Sequence, residues 1–324
     1  MNAMIFVENE FDPLKKVVLA QSEFGYPKEP RPEDLRFLTK EVVQENFENR
    51  GKDHADAFPE LQKQWEQERA NLQETLEKYG VEVLRPRKLT FAEKETVGTA
   101  GYSNFFVRDP FFTVGSFVIE SSLRFLHRRN EILPVRDLFL QEVYPQDCSY
   151  IAVPQPEVAD PEDKTLGKGP FLEGGDVLIL GKQIFVGNSG LASNSLGIQW
   201  LRKLLTPQGY TVEEVKLHPD ILHLDCALGL IKNGLMVICE EAFLEGIPVA
   251  LMNWKKIHVS LHEAMNLATN GLPVSQEVYI TDPAFQHIGK QIEQHGIKVE
   301  YIDFSISRSF GGSFRCSTQP LSRY

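Results

Sequence analysis

One pattern limits the fold more than anything else in this sequence. A helix ends at a glycine and runs straight into a short apolar strand, and this happens three times. The first case is the clearest. Leu61, Trp65, Leu72, Leu76 and Tyr79 fall at spacings of 4, 7, 4 and 3, one face of a helix. Pro59 suits its first turn and Gly80 the position past its end, and Val81-Glu82-Val83 follows. The same order recurs through Trp200 and Leu204 to Gly209 and Tyr210-Thr211-Val212. It recurs again from Asp282-Pro283 through Phe285, Ile288 and Ile292 to Gly296 and Ile297-Lys298-Val299. Between these units apolar runs come in pairs, at 111–119, at 177–180 with 184–186, and at 226–231 with 235–238. The pairs break at Gly115, Gly181 and Asn233-Gly234. A repeating strand–strand–helix–strand unit implies α/β architecture. The glycine stops lie 129 residues apart (80 to 209) and 87 apart (209 to 296), which leaves room for about five units with insertions. Such units bury their faces against one another, and the loops at one end then converge on a central site.

The length of 324 residues would ordinarily suggest about two domains. A radial repeat keeps such a length in one body, so residues 1–324 are expected to form a single α/β domain. Apolar content of 42% and charged content of 24% are those of an ordinary globular chain. The net charge of −11 opposes a nucleic-acid partner, whose footprint would be basic, and suits the capture of a cation. The four cysteines, Cys148, Cys226, Cys239 and Cys316, form no C-x-x-C pair, as expected of reduced thiols in the cytoplasm. No apolar run reaches about 18 residues, so no membrane span is expected. The opening MNAMIFVENEF lacks the basic flank and long apolar stretch of a secretory leader. Proline-rich residues 26–34 and 153–169 read as loops, the second as a surface loop or lid.

Four short segments carry the residues that could do chemistry. They are Asn104-Phe105-Phe106-Val107-Arg108-Asp109, Phe171-Leu172-Glu173-Gly174-Gly175-Asp176, His223-Leu224-Asp225-Cys226 and Gly311-Gly312-Ser313-Phe314-Arg315-Cys316. Cys316 follows two glycines, which allow a close backbone approach, and the cation of Arg315, which favours a thiolate. Alone, it could equally be a small buried hydrophobe. His223 and Asp225, one residue apart, would share one face of a strand and supply an acid/base and a charge anchor. Glu173, at a break from apolar residues to glycine, is a candidate to orient a histidine, and also an ordinary turn carboxylate. Asp109 beside Arg108 could be no more than an ion pair at a turn. Together they supply one nucleophile, one imidazole and carboxylates in number enough to hold a planar guanidinium by parallel hydrogen bonds.

In this order the segments resemble the guanidino-group-modifying enzymes, which include arginine deiminases, dimethylarginine hydrolases and glycine amidinotransferases. Asn9-Glu10-Phe11-Asp12-Pro13-Leu14-Lys15 resembles the opening strand of the amidinotransferases. The resemblance covers nearly the whole chain and implies a five-bladed pseudo-symmetric ββαβ propeller. It implies Cys316 as nucleophile, His223 as general acid/base, Glu173 as the residue orienting it, and Asp109 and Asp225 as the guanidinium grip. It further implies substrate contacts at Arg128, Asn104 and Arg315, with Arg128 in the place of an arginine that holds a substrate carboxylate in some deiminases. No metal and no cofactor are expected. The expected partner is a small guanidino compound, with a homodimer left open.

The sub-family is mixed. Glu173 stands where amidinotransferases usually carry Asp, Arg315 where they usually carry His, and Ala242 about where glycine-type transferases place a carboxylate-binding Arg. These departures favour hydrolysis of arginine or an arginine-like guanidine through an amidino-cysteine, with transfer to an amine as the alternative. Residues 187–195 lack the second carboxylate-binding Arg of arginine deiminases, which weighs toward an arginine-like guanidine over free L-arginine. A thiol protease would leave the paired carboxylates unexplained. A non-catalytic propeller would have no use for Cys316, His223 and Glu173 together.

Overall fold

The structure, a computed structural model, describes residues 4–35, 37–157 and 163–324. Residues 1–3, and 158–162 of the loop expected at 153–169, lie outside the described residues; 153–157 and 163–169 form neither helix nor strand. The loop expected at 26–34 runs into a short helix, Pro32–Leu35.

Among the described residues there are five three-stranded sheets and one two-stranded pair. Each three-stranded sheet has the same build. Its central strand pairs antiparallel with one neighbour and parallel with the other. The central strands are Leu14–Leu19, Phe117–Glu120, Gln183–Asn188, Leu235–Ile238 and Val278–Thr281. A parallel neighbour requires a crossover, and this is where the sequence places its helices. Pro59–Lys78, Leu133–Leu138, Ser195–Leu205 and Gln286–Glu293 each connect a central strand to its parallel partner. The crossover after Leu235–Ile238 departs from this pattern. It uses only the 3₁₀ turns Glu240–Ala242 and Val249–Leu251, in a stretch broken by Gly246 and Pro248. The last strand, Thr318–Arg323, returns to pair with Leu14–Leu19, so both ends of the chain close one sheet.

The helix Pro59–Lys78 shows why the pattern holds. Trp65, Leu72 and Leu76 from the expected face are fully buried, each contributing about 1.5–3 kcal/mol by removal from water. Arg69, on the same side, is also buried, and donates to Ser307 Oγ at 3.0 Å, Ser317 Oγ at 2.8 Å and the Phe105 carbonyl at 3.0 Å. That helix is thereby tied to the turn that carries Cys316.

Candidate active site

The first strand of a blade is entered through a turn, and the five entry turns meet at one end of the molecule. Asp109 lies two residues before the strand Phe111–Val114, Glu173 four before Val177–Leu180, Asp225 three before Leu228–Lys232, Asn270 two before Leu272–Ser275, and Cys316 two before Thr318–Arg323. His223 and Asp225 therefore do not sit on a strand, as expected from their spacing. His223 is extended and Asp225 lies in the 3₁₀ turn Leu224–Cys226, with the strand starting only at Leu228. The turn sends the two side chains to different partners.

The glycines of the second motif are there for space. A Cβ on Gly175 would lie 2.5 Å from Asp109 Oδ1 and 2.7 Å from His223 Nδ1, so only glycine lets the carboxylate and the ring approach this backbone. Gly311, ahead of Cys316, has φ +87°, a left-handed conformation that glycine adopts freely.

His223 is held between two carboxylates. Its Nε2 lies 2.9 Å from Glu173 Oε2 and its Nδ1 3.7 Å from Asp109 Oδ1. Asp109 Oδ1 accepts from the Gly175 N–H at 2.9 Å, and Asp109 Oδ2 meets Arg128 Nη2 at 2.9 Å. On the other side the Cys316 thiol faces Asp225 Oδ2 at 3.6 Å, and Cys226 faces Oδ1 at 3.6 Å. Asn270 Oδ1 accepts from the backbone N–H of Ser313 at 3.2 Å and of Cys316 at 3.1 Å, which fixes the nucleophile turn. Asp109, His223, Arg128 and Cys316 line a small cavity of about 40 Å³, whose wall also carries Leu35, Phe37, Leu38 and Val42.

Burial sets the electrostatics. Taken alone it would lower the pKa of His223, but Asp109, Glu173 and Asp176 outweigh it and raise it to about 10, so the ring is a cation at neutral pH. Burial would likewise push the Asp109 carboxyl up, yet His223 and Arg128 hold it below its ordinary range. Burial pushes the Cys316 thiol well up, and Asp225 and Asp109 add to this; Arg315 works the other way and is outweighed. The expectation that the cation of Arg315 favours a thiolate is thus corrected: its effect is present but outweighed. Asp109, Glu173 and His223 each bring one ligand-type atom within 4.8 Å of the others. These atoms face each other and Arg128, so a metal ion would have to displace those pairings.

Of the three further substrate contacts expected, Arg128 lines the cavity and Asn104 and Arg315 do not. Asn104 donates to Glu23 Oε2 at 2.7 Å and to the Arg87 carbonyl at 3.2 Å, and does not line the cavity. Arg315 is buried behind Asp225, with its guanidinium on Glu10, Asp225 and the Val177 carbonyl. Arg128 does reach the cavity, but its guanidinium is taken by Glu131, Asp109 and the Phe106 carbonyl. Buried ion pairing, stronger than any exposed alternative, claims both arginines. Ala242 is fully buried and also away from the cavity. Reasoning from sequence missed Asn270, Glu10 and Glu131.

A buried thiol, a cationic imidazole and Asp109 around one cavity, with Asp225 against the thiol and five strand–strand–crossover–strand units carrying them, define a guanidino-group-modifying enzyme with a propeller-like α/β fold. The chain belongs to the arginine deiminase family, whose model matches residues 102–278, more than half of its length. It is 26% identical to inosamine-phosphate amidinotransferase 1 of Streptomyces glaucescens over 99% of this chain and 97% of that protein. Its fold is similar to that of the inosamine-phosphate amidinotransferase StrB1 of Streptomyces griseus, with a TM-score of 0.81 at 22% identity over 99% and 97% of the two chains. The N-terminal domain of ArgZ, an arginine dihydrolase of cyanobacteria, gives a TM-score of 0.70 at 17% identity over 96% and 98%.

Proposed function

We propose that the chain, acting over residues 1–324 as one catalytic propeller, transfers an amidino group from a guanidine to an amine through a covalent intermediate on Cys316. The observation that carries this reading is the Cys316 thiol 3.6 Å from Asp225 and on the same cavity as Asp109 and His223, with Glu173 bonded to His223. A guanidinium carbon is a poor electrophile because resonance spreads its charge. Asp109 and Asp225 grip the cation and fix the carbon near sulfur, which lowers the entropic part of the barrier. The arriving cation also offsets the carboxylates that keep the thiol protonated, and the thiol releases its proton to solvent. The thiolate attacks the carbon, the protonated His223 gives its proton to the departing amine, and an amidino-cysteine remains. His223, now neutral and oriented by Glu173, takes a proton from the acceptor amine as its nitrogen attacks. The carbon–sulfur bond breaks and the new guanidine leaves.

Release to an amine rather than water is in keeping with the apolar Leu35, Phe37, Leu38 and Val42 on the cavity wall. The similarity to amidinotransferases from end to end agrees with it. Hydrolysis, favoured by the sequence alone, rested on Glu173, Arg315 and Ala242, none of which lines the cavity. It stays as the second reading because Glu173 itself is at the site and holds His223. The test is a product assay with arginine, with and without excess glycine or another primary amine, read by mass. A new guanidine on the added amine supports transfer. Citrulline, or ornithine with ammonia, unchanged by any amine, gives hydrolysis instead.

A further inference from the structure

Two buried groups, each an arginine held by a glutamate and an aspartate, flank the nucleophile; in the group of Arg128, Glu173 Oε2 also lies 3.8 Å from Arg128 Nη1. In one, Arg128 binds Glu131 through its side fork, Nε to Oε1 at 3.0 Å and Nη2 to Oε2 at 2.7 Å, and meets Asp109 Oδ2 at 2.9 Å. In the other, Arg315 binds Glu10 through the same fork, Nε to Oε2 at 3.1 Å and Nη2 to Oε1 at 3.1 Å, and gives Nη1 to Asp225 Oδ2 at 2.9 Å. Every member of both groups is buried. Neither Glu131 nor Glu10 lines the cavity.

The charges explain the build. Asp109 paired with Arg128 alone would be neutral as a unit and would hold little attraction for an incoming cation. The same is true of Asp225 with Arg315. A glutamate bound to each arginine adds negative charge to the group, in full from Glu10, whose carboxyl, against burial, Arg315 and Arg108 hold low, and in part from Glu131, whose carboxyl burial raises to about 7, and the fork fixes the guanidinium plane that aims the aspartate. In a buried site of low dielectric this excess charge is felt at the cavity rather than screened away. We propose that Glu131 and Glu10 are positioning residues that act through Arg128 and Arg315 to keep Asp109 and Asp225 aimed at, and attractive to, the substrate cation. The inference rests on the reading of Asp109 and Asp225 as the guanidinium grip. It also gives the two arginines a role in place of the substrate contacts expected of them.

The experiment uses the full chain carrying Glu131→Gln or Glu10→Gln, each compared with wild type by melting temperature. Arginine is the cationic probe, read as KM and kcat; citrulline, its uncharged ureido counterpart, is the neutral probe, read as an inhibition constant. The expected result is a KM for arginine raised about tenfold in each variant, with kcat and citrulline inhibition within about twofold of wild type and Glu131→Asp recovering part of the loss. A residue that merely supports the core would weaken both probes together. An unchanged arginine KM, an equal loss for citrulline, or failure of both variants to fold overturns the proposal. Asp109→Asn and Asp225→Asn are run beside them. If these raise the arginine KM while the glutamate variants do not, only the present inference falls; if they too leave it unchanged, the grip itself was misread.

Discussion

Replacing Glu173 by Gln should change the charge of His223 before it changes the fold. In the native protein burial works against the imidazolium, and Asp109, Glu173 and Asp176 overcome it, taking the pKa from an ordinary 6.5 to about 10. Glu173 makes the direct hydrogen bond, at 2.9 Å. Gln keeps the size and a hydrogen bond but removes the charge. Loss of an opposite charge at this range lowers a pKa by about 1–3, so the imidazole of the variant should titrate at about 7–9. Each step of one in pKa corresponds to about 1.4 kcal/mol between the two protonation states.

The consequence for stability has a definite sign. A folded pKa raised above the unfolded value gives a contribution that is complete below pH 6.5 and fades as pH rises through about 10. Wild type should therefore lose stability across that window. The variant should have a narrower window, ending about 1–3 pH units lower. Imidazole titration by nitrogen NMR gives the pKa directly, and urea unfolding at pH 6, 8 and 10 gives the linked free energy. A wild-type ring titrating near 6.5, or a variant titrating with wild type, would show that these carboxylates do not govern His223, and the acid step assigned to it would lose its basis.

Three further outcomes follow from the same geometry. Cys316→Ala should abolish turnover with an unchanged melting temperature, while Cys148→Ser, whose thiol meets the Val143 carbonyl and does not line the cavity, should leave turnover intact; activity in the first would remove the covalent mechanism. Gly175→Ala drives a methyl group to 2.5 Å from Asp109 Oδ1 and 2.7 Å from His223 Nδ1, so kcat should fall at least about a hundredfold, since small misplacements of reacting groups cost that much, with far less effect on urea unfolding. Trp65→Ala empties a fully buried site in the helix that backs the nucleophile turn and should cost about 3–5 kcal/mol in the same unfolding assay.

The blades were legible in the sequence because their stops are local: Gly80, Gly209 and Gly296 end helices whose apolar spacing is plain. The fourth crossover was not, since residues 239–254 hold no helical period and form only 3₁₀ turns. At the site, Cys316, His223, Glu173, Asp109 and Asp225 could be picked out because each is a reactive or charged type inside a glycine-marked motif. The arginines misled for a physical reason. What a buried charge does depends on the charge it meets, and Glu10 meets Arg315 across 305 residues of sequence, a pairing no local pattern encodes. Glu131 lies only three residues from Arg128 and could have been read as its partner. Asn104 was lost to Glu23 in the same way as Arg315, over 81 residues. Asn270 escaped because an amide carries no charge, yet its position carried a signal. It stands two residues before a blade's first strand, as Asp109 and Cys316 do. In a repeat whose entry turns bond to one another around one site, distance ahead of the strand is as strong a marker of a site residue as its chemistry, and it alone would have found the group that holds the Cys316 backbone.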